Sequence, residues 1–191
     1  MKPKIIEARK ETWNSIVYDT IWKIKSLLDA TRTLLADMRE EECGDFILGE
    51  GDPTVAAGLY TFAIEEYGKY LYLKSLIPID EKYQIDYSNE FTDHTKKFER
   101  ALSNLPNECK LIHLGEKEDD KFYEPDFNDD IIVDFKTRLR IFYSDFDPYF
   151  ANKITTTSPP VNLKLLKIGV EKLWEIVDSD YVKLMNEKNK K

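Results

Sequence analysis

Along the first fifth of the chain, apolar or small residues recur every three or four positions. Trp13, Val17, Thr20, Ile24, Leu27, Thr31, Leu34 and Met38 form one seam. This spacing predicts a long helix over about 5–42, packed lengthwise on an antiparallel neighbour. Gly44 follows as a left-handed cap. After a loop at 45–51, Asp52-Pro53 is a helix-start signal: Asp as N-cap, Pro at the first helical position. That second helix runs to about Leu76 and stops before Pro78. A third is expected over about 88–104, ending near Pro106. A last one opens at Asn162, with Leu166, Val170, Leu173 and Val177 on one face.

Between the third and last helices the pattern changes. Residues 111–114 suit a short strand or turn, and 115–130 read as an acidic, exposed loop. Residues 131–140 fit helix or strand. Arg138-Leu-Arg-Ile-Phe-Tyr-Ser-Asp145 alternates and is rich in β-formers, so it reads as a strand. After a turn at Asp147-Pro148, residues 151–157 return as its partner, and Ser158-Pro-Pro160 ends them. The expected fold is mainly α. It is one domain over 1–191: a bundle of four long helices, with a short β-hairpin inserted at about 131–158, before the C-terminal helix.

Composition supports a sizeable core, with 42% hydrophobic and 13% aromatic residues. A net charge of −8 repels nucleic acid on average, so any such contact needs a local basic patch. Cys43 and Cys109 stand in no metal spacing and read as free thiols of a reducing compartment. No apolar run approaches the ~18 residues of a membrane span. The N-terminus lacks a signal-peptide apolar core. These features read as a soluble, cytoplasmic protein that makes no membrane contact.

Two predicted helices place ionisable groups on apolar stripes. Phe62, Glu66, Lys69 and Leu73 share one stripe; Phe91, His94, Phe98 and Leu102 share another, with Lys97 one step aside. An unpaired charge on a core-facing stripe costs several kcal/mol. Glu65 or Glu66 is therefore expected to contact His94 or Lys97 between adjacent helices. Such a set could bind a ligand or transfer protons. The structural alternative is a surface pair of Glu65 with Lys69, and a Glu66 matched by a cation on a neighbouring helix. His94 is then a satisfied core histidine, partnered by Glu90 or Glu66, or else a general acid or base. Lys96, Lys97 and Arg100 form a small basic patch that solvates the helix or holds phosphate. Gly68 lies inside a strong helix, where Gly costs ~1 kcal/mol relative to Ala, so it is expected to mark a close helix crossing.

A carboxylate metal site of the Glu-x-x-His kind is disfavoured, because Lys69 stands where the second ligand belongs. No metal and no cofactor are expected. There is no glycine-rich phosphate loop, Cys-x-x-Cys pair or nucleophile elbow. Arg138 and Arg140 share a face of the expected strand and read as an edge kept soluble by charge.

The combination resembles the AbiV family of abortive-infection proteins. The resemblance rests on Glu65, Glu66, Gly68 and Lys69; on His94 and Lys97; on Phe142, Tyr143 and Asp145; and on Pro159 and Pro160. It spans roughly 11–177. It implies a bacterial or archaeal phage-defence protein related in architecture to HEPN helical domains, many of which are ribonucleases or RNA-binding modules. Catalytic HEPN domains carry an Arg, four to six variable residues, then a His. No Arg stands at that distance before His94 or His113. The resemblance thus implies a protein-interaction module whose partner is a phage or host protein. The alternative is a metal-independent ribonuclease acting on RNA, with a degenerate catalytic centre at Glu66, Lys69, His94 and Lys97. Trp22 lies off the first helix's seam, so it is covered by the same chain or exposed as a contact patch. With the pairing habit of HEPN-like domains, this leads to the expectation of a homodimer.

Overall fold

The structure, a computed structural model, describes residues 4–36, 38, 53–110 and 163–188. It is mainly helical, with a small antiparallel sheet that precedes the last helix. Strand β1 (Ile5–Arg9) leads directly into helix α1 (Lys10–Ala36). Helix α2 (Pro53–Ser75) opens at the proline, as the sequence predicts. Strand β2 (Lys82–Asp86) and a π-helical turn (Tyr87–Phe91) lead to α3 (His94–Asn104). A single 3-10 turn covers Asn107–Cys109, and α4 (Leu163–Lys188) completes the described elements. The hairpin expected at 131–158 lies outside the described residues, as do Asp52 and Gly44.

The sheet is built from segments far apart in sequence. β1 pairs with β2 from Ile5↔Asp86 through Arg9↔Lys82. The helix expected from residue 5 therefore starts at Lys10. Ile5 and Ile6 are β-branched and gain more from cross-strand pairing than from a helical turn. On the inner face Trp13 stacks on Tyr83, with ring centroids 4.2 Å apart, and its indole N–H donates to the Leu73 carbonyl at 3.2 Å.

That bond and the Lys23–Glu66 ion pair fix α1 and α2 as antiparallel neighbours. α4 is also antiparallel to α1: Tyr18 meets Tyr181, Lys25 meets Asp178, and Arg32 meets Glu171. The core between them includes Ile21, Ile24, Leu28, Tyr60, Ile64 and Leu73, and all four expected α4 residues, Leu166, Val170, Leu173 and Val177. Along α1 the buried stripe passes through Leu28 and Leu35 rather than Leu27 and Leu34. Val17, Ile24, Thr31 and Met38 stay buried at seven-residue spacing, while Ile21, Leu28 and Leu35 widen the stripe to one side, because α1 packs against both α2 and α4.

The third helix is shorter than expected and is broken in two. The Asp86 carboxylate accepts from the Asn89 N–H at 3.0 Å and caps the π-helical turn. The Asp93 carboxylate then accepts from the Lys96 N–H at 3.2 Å and starts α3 anew. Each Asp satisfies a backbone donor that a continuous helix would have bonded internally. The break puts His94 in the first turn of α3, off the stripe expected to run from Phe91 to Leu102. Phe98, Ala101 and Leu105 fill the core in its place.

Candidate functional site

The ionisable cluster forms where α3 crosses α2. Glu65 and Gly68 are three residues apart and share a helical face. A Cβ at Gly68 would stand 1.8 Å from the Lys97 carbonyl oxygen. The crossing expected at this glycine is present, and its partner is α3. Because the backbones approach so closely, Lys97 is pressed alongside Glu65, one turn back on α2.

The Glu65 carboxylate is buried, with its side chain only 4% exposed. Its Oε1 accepts from Lys97 Nζ at 2.5 Å, and His94 Nδ1 lies 2.7 Å from the same oxygen. The Lys97 side chain is 6% exposed, whereas His94 is 45% exposed. The expected interhelical contact therefore forms, and Glu65 makes it. Glu65 is not the surface partner of Lys69. Lys97, placed one step aside on the sequence pattern and within a basic patch, is an interior residue.

Glu66 has its own partners. Lys69 Nζ stands 2.6 Å from one carboxylate oxygen, and Lys23 Nζ, reaching across from α1, stands 3.2 Å from the other. Burial pushes the Glu66 pKa up, but hydrogen bonding and charge from Lys69, with Lys23 behind, outweigh it. The group titrates below its ordinary value. The Lys69 ammonium also lies over the Phe91 ring, 4.6 Å from its centroid.

A second cluster flanks the first. Glu90 accepts from Lys96 at 2.9 Å and from Arg100, whose guanidinium also lies over the Tyr72 ring. Burial raises the Glu90 pKa, but these two cations outweigh it and hold the group below its usual value. The basic patch expected at Lys96, Lys97 and Arg100 is thus drawn inward onto Glu65 and Glu90.

Comparisons of this chain with protein-family models, curated proteins and solved structures find no match. The site must be read from its own geometry. Among the described residues, no three His, Cys, Asp or Glu side chains are grouped so as to hold a metal ion. Cys109 is buried, and burial pushes its thiol up to about 12, so it stays protonated at neutral pH. Among the described residues, no helix is long and apolar enough to cross a membrane. Cys43, His113, Arg138, Arg140, Phe142, Tyr143, Asp145, Pro159 and Pro160 lie outside the described residues.

Sequence patterns missed Lys23 and the role of Glu90. Lys23 sits on an exposed flank of α1, and only the α1–α2 register carries it to Glu66. Glu90, weighed as a partner for His94, serves Lys96 and Arg100 instead.

Chemically the site has two parts. Glu65, Glu66, Lys69 and Lys97 form a compensated ionic clamp that joins α2 to its neighbours. His94 is an imidazole oriented by a buried carboxylate, with its ring still reached by solvent.

Proposed function

We propose that this chain is an AbiV-like defence protein of the cytoplasm, whose helical bundle acts by binding a phage or host protein. The observation that supports this most is mutual compensation. Glu65 is matched by Lys97 and His94, and Glu66 by Lys69 and Lys23. Charges committed to one another in this way rigidify a helix crossing and hold a binding surface in shape. The net charge of −8 also favours a protein partner over RNA. Trp22, 56% exposed on the outer face of α1, is the residue type that most often anchors such an interface.

A second reading is a metal-independent ribonuclease centred on Glu66, Lys69, His94 and Lys97. It draws on the half-exposed imidazole of His94 held by Glu65, the geometry of an oriented general acid or base. One experiment separates the two. Cells carrying the chain are challenged with phage, and the pure protein is incubated with total RNA, each beside His94→Ala and Trp22→Ala variants. The interaction reading expects protection that survives His94→Ala, is lost with Trp22→Ala, and comes without RNA cleavage. Cleavage that disappears with His94→Ala would establish the ribonuclease instead.

A further inference from the structure

The two-stranded sheet leaves one edge uncovered. The Tyr87 N–H donates to the Lys4 carbonyl at 2.9 Å, while the Asp86 N–H turns away from β1 and donates to the Tyr72 hydroxyl at 2.8 Å. With the register Ile5↔Asp86, the main-chain groups of Lys4, Ile6 and Ala8 point toward β2, and those of Ile5 and Glu7 point away from it. The sheet has only these two strands among the described residues, and none of those residues hydrogen-bonds to the outer edge of Ile5 and Glu7. The β2 edge is different, because Tyr72 of α2 covers it at Asp86. The open edge also carries exposed apolar side chains, with Ile5 at 48% and Ile6 at 36%.

An unpaired strand edge bearing apolar side chains is a template for another strand. We propose that β1 pairs antiparallel with β1 of a second copy of this chain, so that Ile6 faces the partner subunit's Ile6 across a two-fold axis. Because only odd-numbered residues present main-chain groups outward, the axis must pass through Ile5, Ile6, Glu7 or Ala8. An axis at Ile5 sets Ile6 against Lys4 and leaves Ile5 facing its own copy as the single hydrogen-bonded pair within the strand. One at Glu7 sets two carboxylates face to face, a destabilising cross-strand pair. At Ala8, the pairing runs into Lys10, where α1 has already begun. The axis at Ile6 alone avoids these faults. It hydrogen-bonds Ile5 to the partner's Glu7 twice, and it brings the two Ile6 side chains together at a non-hydrogen-bonded position, where side chains approach most closely. The interface is isologous and small, so association is weak. It uses a different surface from the helix face around Trp22, and it holds whichever activity the bundle has.

Two measurements test it. In a Cys43→Ser background, Ile6→Cys and Glu7→Cys variants are mildly oxidised and run on a non-reducing gel. The proposed register gives a disulfide-linked dimer with Ile6→Cys and not with Glu7→Cys; the reverse pattern, or no cross-link at either, overturns it. Sedimentation from about 1 μM to about 1 mM covers the range of weak association. The wild type should associate, Ile6→Lys should stay monomeric with unchanged helical circular dichroism, and Trp22→Ala should behave as wild type. A wild type that remains monomeric throughout, or association lost with Trp22→Ala but kept with Ile6→Lys, rules the edge pairing out.

Discussion

The Lys97 carbonyl oxygen occupies the space that a Cβ at Gly68 would need, at a separation of 1.8 Å. Main chain, unlike the end of a flexible side chain, cannot move aside alone, so α3 would have to shift bodily. Gly68→Ala is expected to lower stability by about 1–3 kcal/mol through overpacking, despite the better helix propensity of Ala. Denaturant unfolding measures this directly. A variant that unfolds at higher denaturant than wild type would mean that the crossing is looser than described.

Glu65 and Lys97 are both buried: removing Glu65 strands the Lys97 ammonium, and removing Lys97 leaves the Glu65 carboxylate without its buried cation, beside the half-exposed His94. Lys97→Met and Glu65→Gln should each cost about 3–5 kcal/mol. The double variant should cost clearly less than the sum, because it leaves neither charge stranded. Strict additivity in that cycle would contradict the pairing.

Acid should weaken the α1–α2 contact at Lys23 and Glu66 and the junction of the π-helical turn with α3. Glu66 and Glu90 both titrate below their ordinary value of 4.5 in the folded protein. As pH falls, the unfolded chain takes up these protons first. The stability they contribute is therefore full above pH ~5 and is lost as pH falls through 4.5 toward the lower folded values. Unfolding midpoints measured between pH 7 and pH 3 should decline over that window, and Glu66→Gln should flatten the decline. An unchanged slope in that variant would assign the acid sensitivity elsewhere.

The turn before β2 carries local strain. Asp80 and Glu81 sit at φ values of 48° and 65°, in the left-handed region, between the reciprocal hydrogen bonds of Ile79 and Lys82. This is the geometry of a two-residue hairpin turn that favours Asn-Gly. Asp80→Asn with Glu81→Gly should stabilise the protein by about 0.5–1 kcal/mol. Calorimetry showing a lower melting temperature would refute a strained turn.

What the sequence made legible was local. The Asp52-Pro53 signal placed the start of α2, the α4 stripe named its buried residues, and Gly68 announced a crossing because nothing else excuses a glycine there. The cost of unpaired charge foretold that Glu65 or Glu66 would meet His94 or Lys97, and the crossing at Gly68 decides that Glu65 does so. Long-range choices stayed hidden. Nothing near Ile5 indicates that Asp86 will pair with it, so the strand read as the first turn of a helix. The apolar spacing from Phe91 to Leu102 runs straight through Asp93 and gives no sign that a new helix starts there. Lys23 reaches Glu66 only through an interhelical register that no single-helix pattern contains.

The three tryptophans divide the molecule into separately observable parts. Trp22 stands in solvent; Trp13 is locked between the Tyr83 ring and the Leu73 carbonyl; and the Trp174 indole donates to Asp29 beneath Lys25 and Arg32. Their emission should differ in colour and in quenching by the adjacent groups. Single-tryptophan versions of the chain would therefore report, in one optical experiment each, on the outer surface of α1, on the docking of the sheet, and on the closure of α4 against α1. Detachment of the sheet while α4 stays closed would be seen as a change at Trp13 alone.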